Sequence, residues 1–233
     1  MADTVNILSG GAAQGLVRGL AAAFKAKTGF AVDGEFGAVG IMADRLRAGT
    51  PADLVILTQA LLTKLADEKL VVPAAIANIG RVETALAVRS RDAKVTVKTE
   101  ADLRDVLRAA DAIFVPDTKA STAGQHVAKV LDQLGIAYEV ASRLKIFPNG
   151  ATAMRELAMS TAQRPIGCTQ ATEIIAIDGI VLSGSLPPGC ELVTMYTAGV
   201  TARAAHPNEA AALIALLTGA DQRELRQRVG FAG

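Results

Sequence analysis

The chain has 233 residues, of which 51% are hydrophobic and 20% charged, which suits one large or two small globular domains. Its formal net charge of +1 argues against a general attraction to nucleic acid or acidic membranes, and its 3% aromatic content argues against ligands held by ring stacking. No apolar run approaches the roughly 18 residues that a membrane-spanning helix needs.

Cysteine and histidine are rare and scattered in this sequence. Cys168, Cys190, His126 and His206 form none of the spacings typical of metal sites, so we expect no metal, no cofactor and two buried free thiols. The first four residues lack the basic start and apolar core of a signal peptide. We therefore expect a periplasmic protein if a leader has been removed, and a cytoplasmic one if the first methionine is the native start.

The first predicted strand, residues 5–8, runs into a turn of small residues before a helix begins. In this turn, Ser9-Gly10-Gly11, small side chains let a ligand approach the backbone, and N–H groups at a helix start attract anions. The turn lacks the Gly-Lys-Ser/Thr end of a P-loop and the glycine spacing of a dinucleotide fingerprint. It therefore suits a small anion, or it is an ordinary strand-to-helix turn.

Similar units of strand, turn and helix follow along the chain. A second strand starts at Ala31 and leads into a small-residue turn at 36–40, and the next helix is expected to bury Ile41. Thr99 is placed to cap a later helix, and Ile175 is expected on the buried face of another. Further strands are predicted at residues 54–57, 81–89, 113–115, 145–147 and 165–168, extended segments at 191–195 and 198–202, and closing helices at 208–217 and 221–229.

The alternation of strands and helices predicts parallel sheets covered by helices. Two extended segments, near 81–88 and 193–202, are placed to run between lobes. We therefore predict an α/β fold of two Rossmann-like lobes joined by two crossover segments, with a ligand cleft between the lobes at the carboxyl ends of the strands. The predicted domains are residues 1–81 with 197–233 for lobe 1, and residues 82–196 for lobe 2.

This order of elements resembles the periplasmic solute-binding proteins of ABC transporters, in the two-lobed class called type II, and most closely their molybdate-binding group. The most specific matching stretch is Ala48-Gly49-Thr50-Pro51-Ala52-Asp53-Leu54. The similarity covers nearly the whole chain. The matching segments are residues 5–13, 36–40, 48–56, 117–124, 131–135, 165–167 and 229–231.

The resemblance implies a protein that closes on a small anionic ligand by a hinge motion, with a transporter permease as partner if it is exported. Molybdate binders of this group place a serine hydroxyl in each of the first two turns and a tyrosine hydroxyl in the second lobe. The matching positions here are Ala12, Ala38 or Val39, and Gln170. Each missing charge-assisted hydrogen bond costs on the order of 1.5–3 kcal/mol, so we expect a ligand other than molybdate.

The expected binding residues lie at the predicted turns between strands and helices. A Ser, Thr or Asn at such a turn is often only a helix cap, and the convergence of several turns favours binding. We expect a monomer that binds no nucleic acid. The predicted ligand-binding residues are Ser9, Gly10, Gly11, Ala12, Gly37, Ala38, Val39, Ser121, Thr122, Ala123, Asn149, Gly150, Thr169 and Gln170.

The resemblance extends to aconitate isomerase, an enzyme that moves a proton along a tricarboxylic acid, and this gives an alternative function. Isomerisation needs a base near the substrate and donors for an enolate-like intermediate. Candidate bases by position are Lys119, Glu173 and Glu35, with Cys168 as a weaker one. For the three charged residues, the competing prediction is a solvated surface position.

Overall fold

The computed structural model describes residues 3–232, so the first methionine, on which the expected compartment depends, lies outside the described residues. The chain divides into two compact units. Unit 1 contains the described residues up to Val82 and those from Met195 onward, and unit 2 is Glu83–Thr194. The chain passes from one unit to the other twice.

The sheet of unit 1 places the ends of its first two strands side by side. Its strands are β1 (Thr4–Gly10), β2 (Ala31–Gly37), β3 (Leu54–Thr58) and the unit 1 parts of β9 (Val193–Thr201) and β4 (Val71–Arg89), in the order β2-β1-β3-β9-β4. β1 is parallel to β2 and β3, and β9 is antiparallel to β3. The helices are α1 (Gln14–Thr28), α2 (Val39–Arg47), α3 (Gln59–Asp67), α9 (Pro207–Thr218) and α10 (Arg223–Arg228).

A buried aspartate connects two strands and a helix of unit 1. Asp53 is only 2% exposed, and its carboxylate accepts hydrogen bonds from the backbone N–H of Asn6 at 2.8 Å and of His206 at 2.9 Å. These bonds connect the entry of β3 with β1 and with the start of α9. The Ala-Gly-Thr-Pro-Ala-Asp-Leu stretch therefore has a structural role in this fold.

The sheet of unit 2 combines three parallel strands with two antiparallel ones. Its strands are the unit 2 part of β4 (Val71–Arg89), with β5 (Ala112–Pro116), β6 (Leu144–Phe147), β7 (Pro165–Gln170) and β8 (Ile180–Ser185). β5 is parallel to β6 and β7, and β4 is antiparallel to β7 and β8. The helices are α4 (Glu100–Ala109), α5 (Thr122–Gln133), α6 (Ala137–Val140), α7 (Gly150–Met159) and α8 (Ala171–Ile175).

Helices bury apolar residues in two separate clusters within unit 2. One cluster contains residues of α4 and α5, and the other is built around Met154 and Leu157 of α7 with Ile174 of α8. Cys168 and Cys190 belong to the first cluster and are buried free thiols, as expected. Thr99 caps α4 in a reciprocal capping box with Asp102, which confirms its predicted role.

Several predicted boundaries and orientations differ in the structure. β4 begins ten residues before the predicted strand, and the two extended segments near the end form the single strand β9. Ile41 and Ile175 are 41% and 46% exposed, so the prediction that they are buried was wrong. In each case the adjacent residue, Met42 or Ile174, takes the inward position, because neighbouring residues of a helix point about 100° apart.

Candidate functional site

The turn after β1 is closely packed around Gly10. The fully buried Ser9 donates its hydroxyl proton to the Gly10 carbonyl at 2.9 Å, so that proton serves the turn itself. A β-carbon at Gly10 would lie 2.7 Å from Val39 Cγ1 and 3.1 Å from Tyr196 Cε1. Only glycine fits this approach. Sequence analysis did not find Tyr196, because it comes from the distant strand β9.

The turns after β1 and β2 end at the same level of the unit 1 sheet, where Gly10 is paired with Gly37. A short 3-10 turn, Gly11–Ala13, follows β1, and Ala38 precedes α2 after β2. No side chain caps either helical start. The first N–H groups of a helix have no intrahelical partner, so both turns offer backbone donors.

Unit 1 therefore brings seven of the predicted site residues to two adjacent strand ends. The buried side chains at these turns carry no hydroxyl apart from Ser9, so a ligand would depend on backbone N–H groups. These residues are Ser9, Gly10, Gly11 and Ala12 after β1, and Gly37, Ala38 and Val39 after β2.

The turn before α5 in unit 2 is stabilised by its own side chains. Ser121 caps the helix by accepting a hydrogen bond from the N–H of Gly124 at 3.5 Å. Asp117 accepts from the N–H groups of Lys119 and Ala120 at 2.7 and 2.8 Å, and these bonds lower the pKa of its carboxyl. The predicted residues Thr122 and Ala123 form the first turn of α5.

The start of α7 is capped twice, which distinguishes it from the turns of unit 1. Asn149 Oδ1 accepts a hydrogen bond from the N–H of Thr152 at 2.8 Å. The carboxylate of Glu173 accepts from the N–H groups of Gly150, Ala151 and Gln170, and burial raises the pKa of this carboxyl against the effect of these bonds.

Two further predicted residues, Thr169 and Gln170, lie at the end of β7. Thr169 is fully buried and donates its hydroxyl to Glu173 at 2.6 Å. Gln170 is 2% exposed, and its Nε2 donates to Thr194 Oγ1 at 3.4 Å. Unit 2 thus brings the predicted residues Gly150 and Thr169 and the backbone N–H of Gln170 to one buried carboxylate, and Asn149 caps the helix that begins there.

The candidate bases have different environments. Glu35 forms an exposed ion pair with Arg45, and Lys119 is exposed. Burial raises the pKa of the Cys168 thiol to about 12, so it stays protonated at neutral pH. Glu173 is 6% exposed, so the prediction of a solvated surface position was wrong for this residue.

Within residues 3–232, no group of three or more His, Cys, Asp or Glu side chains is placed to hold a metal ion. Over the same residues, no helix combines the length and the apolar composition required to span a bilayer.

Two α/β units, connected by two crossing segments and carrying small-residue turns at the ends of parallel strands, define the class of two-lobed solute-binding proteins. A family model described as bacterial extracellular solute-binding protein matches residues 5–232, and the chain belongs to that family.

Comparison with known proteins gives one curated relative and several similar structures. The chain is 26% identical to an aconitate isomerase from a Pseudomonas species over 229 residues, covering 94% of this chain and 83% of the relative. The periplasmic molybdate-binding protein of Azotobacter vinelandii has a TM-score of 0.82 at 17% identity, covering 98% and 99% of the two chains. The sulfate-binding protein SubI of Mycobacterium tuberculosis has a TM-score of 0.76 at 19% identity, covering 98% and 86%.

Proposed function

We propose that the protein binds a small organic carboxylate and delivers it, as a monomer, to the permease of an ABC transporter. The observation that carries this proposal is a contrast among four strand-to-helix turns that contain predicted site residues. The turns after β1 and β2 have no side-chain cap, whereas α5 and α7 are capped by Ser121, Asn149 and Glu173. Of these four turns, the two in unit 1 are therefore the ones whose backbone N–H groups are left for an anion.

Two such turns suit a carboxylate better than a tetrahedral oxyanion. A carboxylate has two oxygens to satisfy, which the N–H groups of two adjacent turns serve. Molybdate or sulfate presents four oxygens and needs donors around the whole anion. The hydroxyls that would supply them are missing at Ala12, Ala38 and Val39. In unit 2, a dianion at the start of α7 would meet the buried carboxylate of Glu173.

Replacing Val39 by proline tests this assignment of the donors. Val39 is the first residue of α2, where proline fits the helix and removes one N–H. The preceding residue, Ala38, already has the extended conformation that a following proline requires. A lost hydrogen bond to a charged group costs about 1.5–3 kcal/mol, so Val39→Pro should weaken binding of succinate or malate by tenfold or more in calorimetric titrations.

The matched control is Gln59→Pro in the same unit. Gln59 is the exposed first residue of α3, and Thr58 before it is also extended. This variant should bind the acids as the wild type does. Equal weakening by both substitutions, or unchanged binding by Val39→Pro, would show that the carboxylate is held elsewhere.

A second function, isomerisation of an unsaturated di- or tricarboxylic acid, is favoured by Glu173. The aconitate isomerase relative motivates this hypothesis. Of the three charged candidate bases, Glu173 is buried, whereas Glu35 and Lys119 are exposed. Proton NMR of cis- and trans-aconitate in D₂O would show isomerisation or deuterium at the allylic carbon. Both isomers passing unchanged through concentrated protein would eliminate this function.

A further inference from the structure

One peptide bond of the chain is chemically vulnerable. Among the asparagines of the sequence, Asn6, Asn78, Asn149 and Asn208, only Asn149 is followed by glycine. The backbone nitrogen of the next residue can attack an asparagine side chain, and glycine obstructs this attack least because it has no β-carbon and the freest backbone. The Asn149-Gly150 pair is therefore the position of this sequence at which deamidation is expected first.

Deamidation at this pair is a reaction of two steps. The Gly150 nitrogen gives up its proton and attacks Cγ of Asn149, a C–N bond forms, and the side-chain nitrogen takes up that proton and leaves as ammonia. Water then opens the succinimide ring and leaves aspartate or isoaspartate at this position. The first step needs a free Gly150 N–H and a rotation that brings its nitrogen to Cγ.

The structure engages both reaction partners at the start of α7. The Gly150 N–H donates to the carboxyl group of Glu173, which is 6% exposed. The Asn149 side chain is held as well, since its Oδ1 accepts a hydrogen bond from the Thr152 N–H at 2.8 Å. The nucleophile and the electrophile of the reaction are therefore each fixed by a separate hydrogen bond.

The backbone of Asn149 also opposes ring closure. Its ψ of 169° is extended, whereas the ring closes only after rotation about the Cα–C bond has moved the Gly150 nitrogen toward the β-carbon. This rotation withdraws the Gly150 N–H from Glu173. Glu173 is kept in place by the Thr169 hydroxyl, which donates to it from β7 at 2.6 Å. Reaction therefore requires local opening of the first turn of α7, and only the opened fraction reacts.

We propose that Asn149-Gly150 is a latent deamidation site and that Glu173 protects it by holding the Gly150 N–H. Glu173 is a positioning residue in this role, because it forms no bond to the succinimide. Conversion would place a second carboxylate at the start of α7 beside Glu173, where like charges repel. The protection is independent of which ligand the protein binds, so it stands or fails separately from the proposed function.

Peptide mapping by mass spectrometry tests the protection. The whole protein is incubated at alkaline pH, both folded and in urea, and conversion of amide to acid is followed at every asparagine. In urea, Asn149 should convert fastest. In the folded wild type, its conversion should be slower than in urea by about tenfold or more. Glu173→Ala should accelerate it by about tenfold or more, because the lost hydrogen bond to a charged group favours the closed state by roughly that factor.

Glu156→Ala is the matched control, because Glu156 lies later in α7, more than one turn from Gly150. It should keep the wild-type rate, and circular dichroism should show that each variant is folded at the incubation temperature. Glu173→Gln keeps the side-chain volume but turns an N–H donor toward the same backbone N–H groups. It should also accelerate conversion, and it replaces Glu173→Ala if that variant does not fold.

Two results would overturn the proposal. Conversion of Asn149 in the folded wild type as fast as in urea would show that the start of α7 gives no protection. A rate that is unchanged in both Glu173 variants would assign the protection to other contacts, and a slower rate would show that Glu173 promotes the attack as a base.

Discussion

The carboxylate of Glu173 occupies the space that a side chain at position 150 would need. A β-carbon on Gly150 would overlap the Glu173 oxygen and the Thr169 hydroxyl. The absence of a side chain at Gly150 lets Glu173 reach the first N–H groups of α7. In this chain the start of α7 therefore holds an internal carboxylate.

Substitution of Gly150 by alanine should destabilise the protein because the added methyl group displaces a buried carboxylate. Overpacking of this kind costs about 1–3 kcal/mol. Urea unfolding measures the difference. Gly19→Ala in the interior of α1 is the control, since its β-carbon would meet Leu225 at an ordinary 3.5 Å, and it should stabilise by about 0.5–1 kcal/mol. Equal effects of the two variants would contradict the close approach at Gly150.

The sequence predicted the elements that position the site, but not the neighbours of each site residue. Strand and helix patterns placed Gln170 near a strand end and Ser9 to Ala12 after β1, because these depend on local periodicity. The pairing of Gln170 with Thr84 depends on the register of β4 and β7, which a single sequence does not encode locally.

Glu173 shows why the chemistry of the site was harder to predict than the fold. A glutamate near a polar turn usually lies in solvent, so its burial could not be inferred from its own neighbours in sequence. Its burial depends on the missing side chain at Gly150, and the two residues come into contact only in the folded chain. Tyr196 was missed for the same reason, since it reaches Gly10 from the distant strand β9.

The raised pKa of Glu173 predicts a specific dependence of stability on pH. Because burial raises its folded pKa above the ordinary value of 4.5, Glu173 contributes fully to stability below that value. The contribution is lost as the pH rises through the folded pKa. Unfolding free energies measured at increasing pH above 4.5 should therefore fall for the wild type relative to Glu173→Gln. A difference that is flat or rises with pH would contradict the raised pKa.

The unpartnered hydroxyl of Thr172 predicts that its removal costs little. Thr172→Val should change the unfolding free energy by less than about 0.5 kcal/mol or increase it, because no hydrogen bond is lost. Thr197→Val is the matched comparison, since the fully buried Thr197 donates to Asn78 Oδ1 at 2.8 Å. Loss of this hydrogen bond should cost about 0.5–1.5 kcal/mol, because the exposed Asn78 can bond to water instead. A larger loss for Thr172→Val than for Thr197→Val would show that Thr172 has a partner.

The buried carboxylate of Asp53 predicts a large effect on the stability of unit 1. Asp53→Ala removes the acceptor of two backbone N–H groups, from Asn6 and His206, and should cost about 2–4 kcal/mol. The exposed Asp33→Ala on β2 should stay within about 0.5 kcal/mol of the wild type. Chemical denaturation compares the two, and similar effects would contradict the connecting role of Asp53.

Thermal shift with a panel of anions tests the central claim most directly. The panel contains succinate, malate, citrate and tricarballylate on one side, and molybdate, tungstate, sulfate and phosphate on the other. A ligand at 100 times its dissociation constant adds about 2.7 kcal/mol to the free energy of unfolding, which raises the melting temperature by several degrees. We predict such a rise with carboxylic acids and none with the tetrahedral oxyanions. A rise with molybdate or sulfate and none with any carboxylic acid would contradict the account.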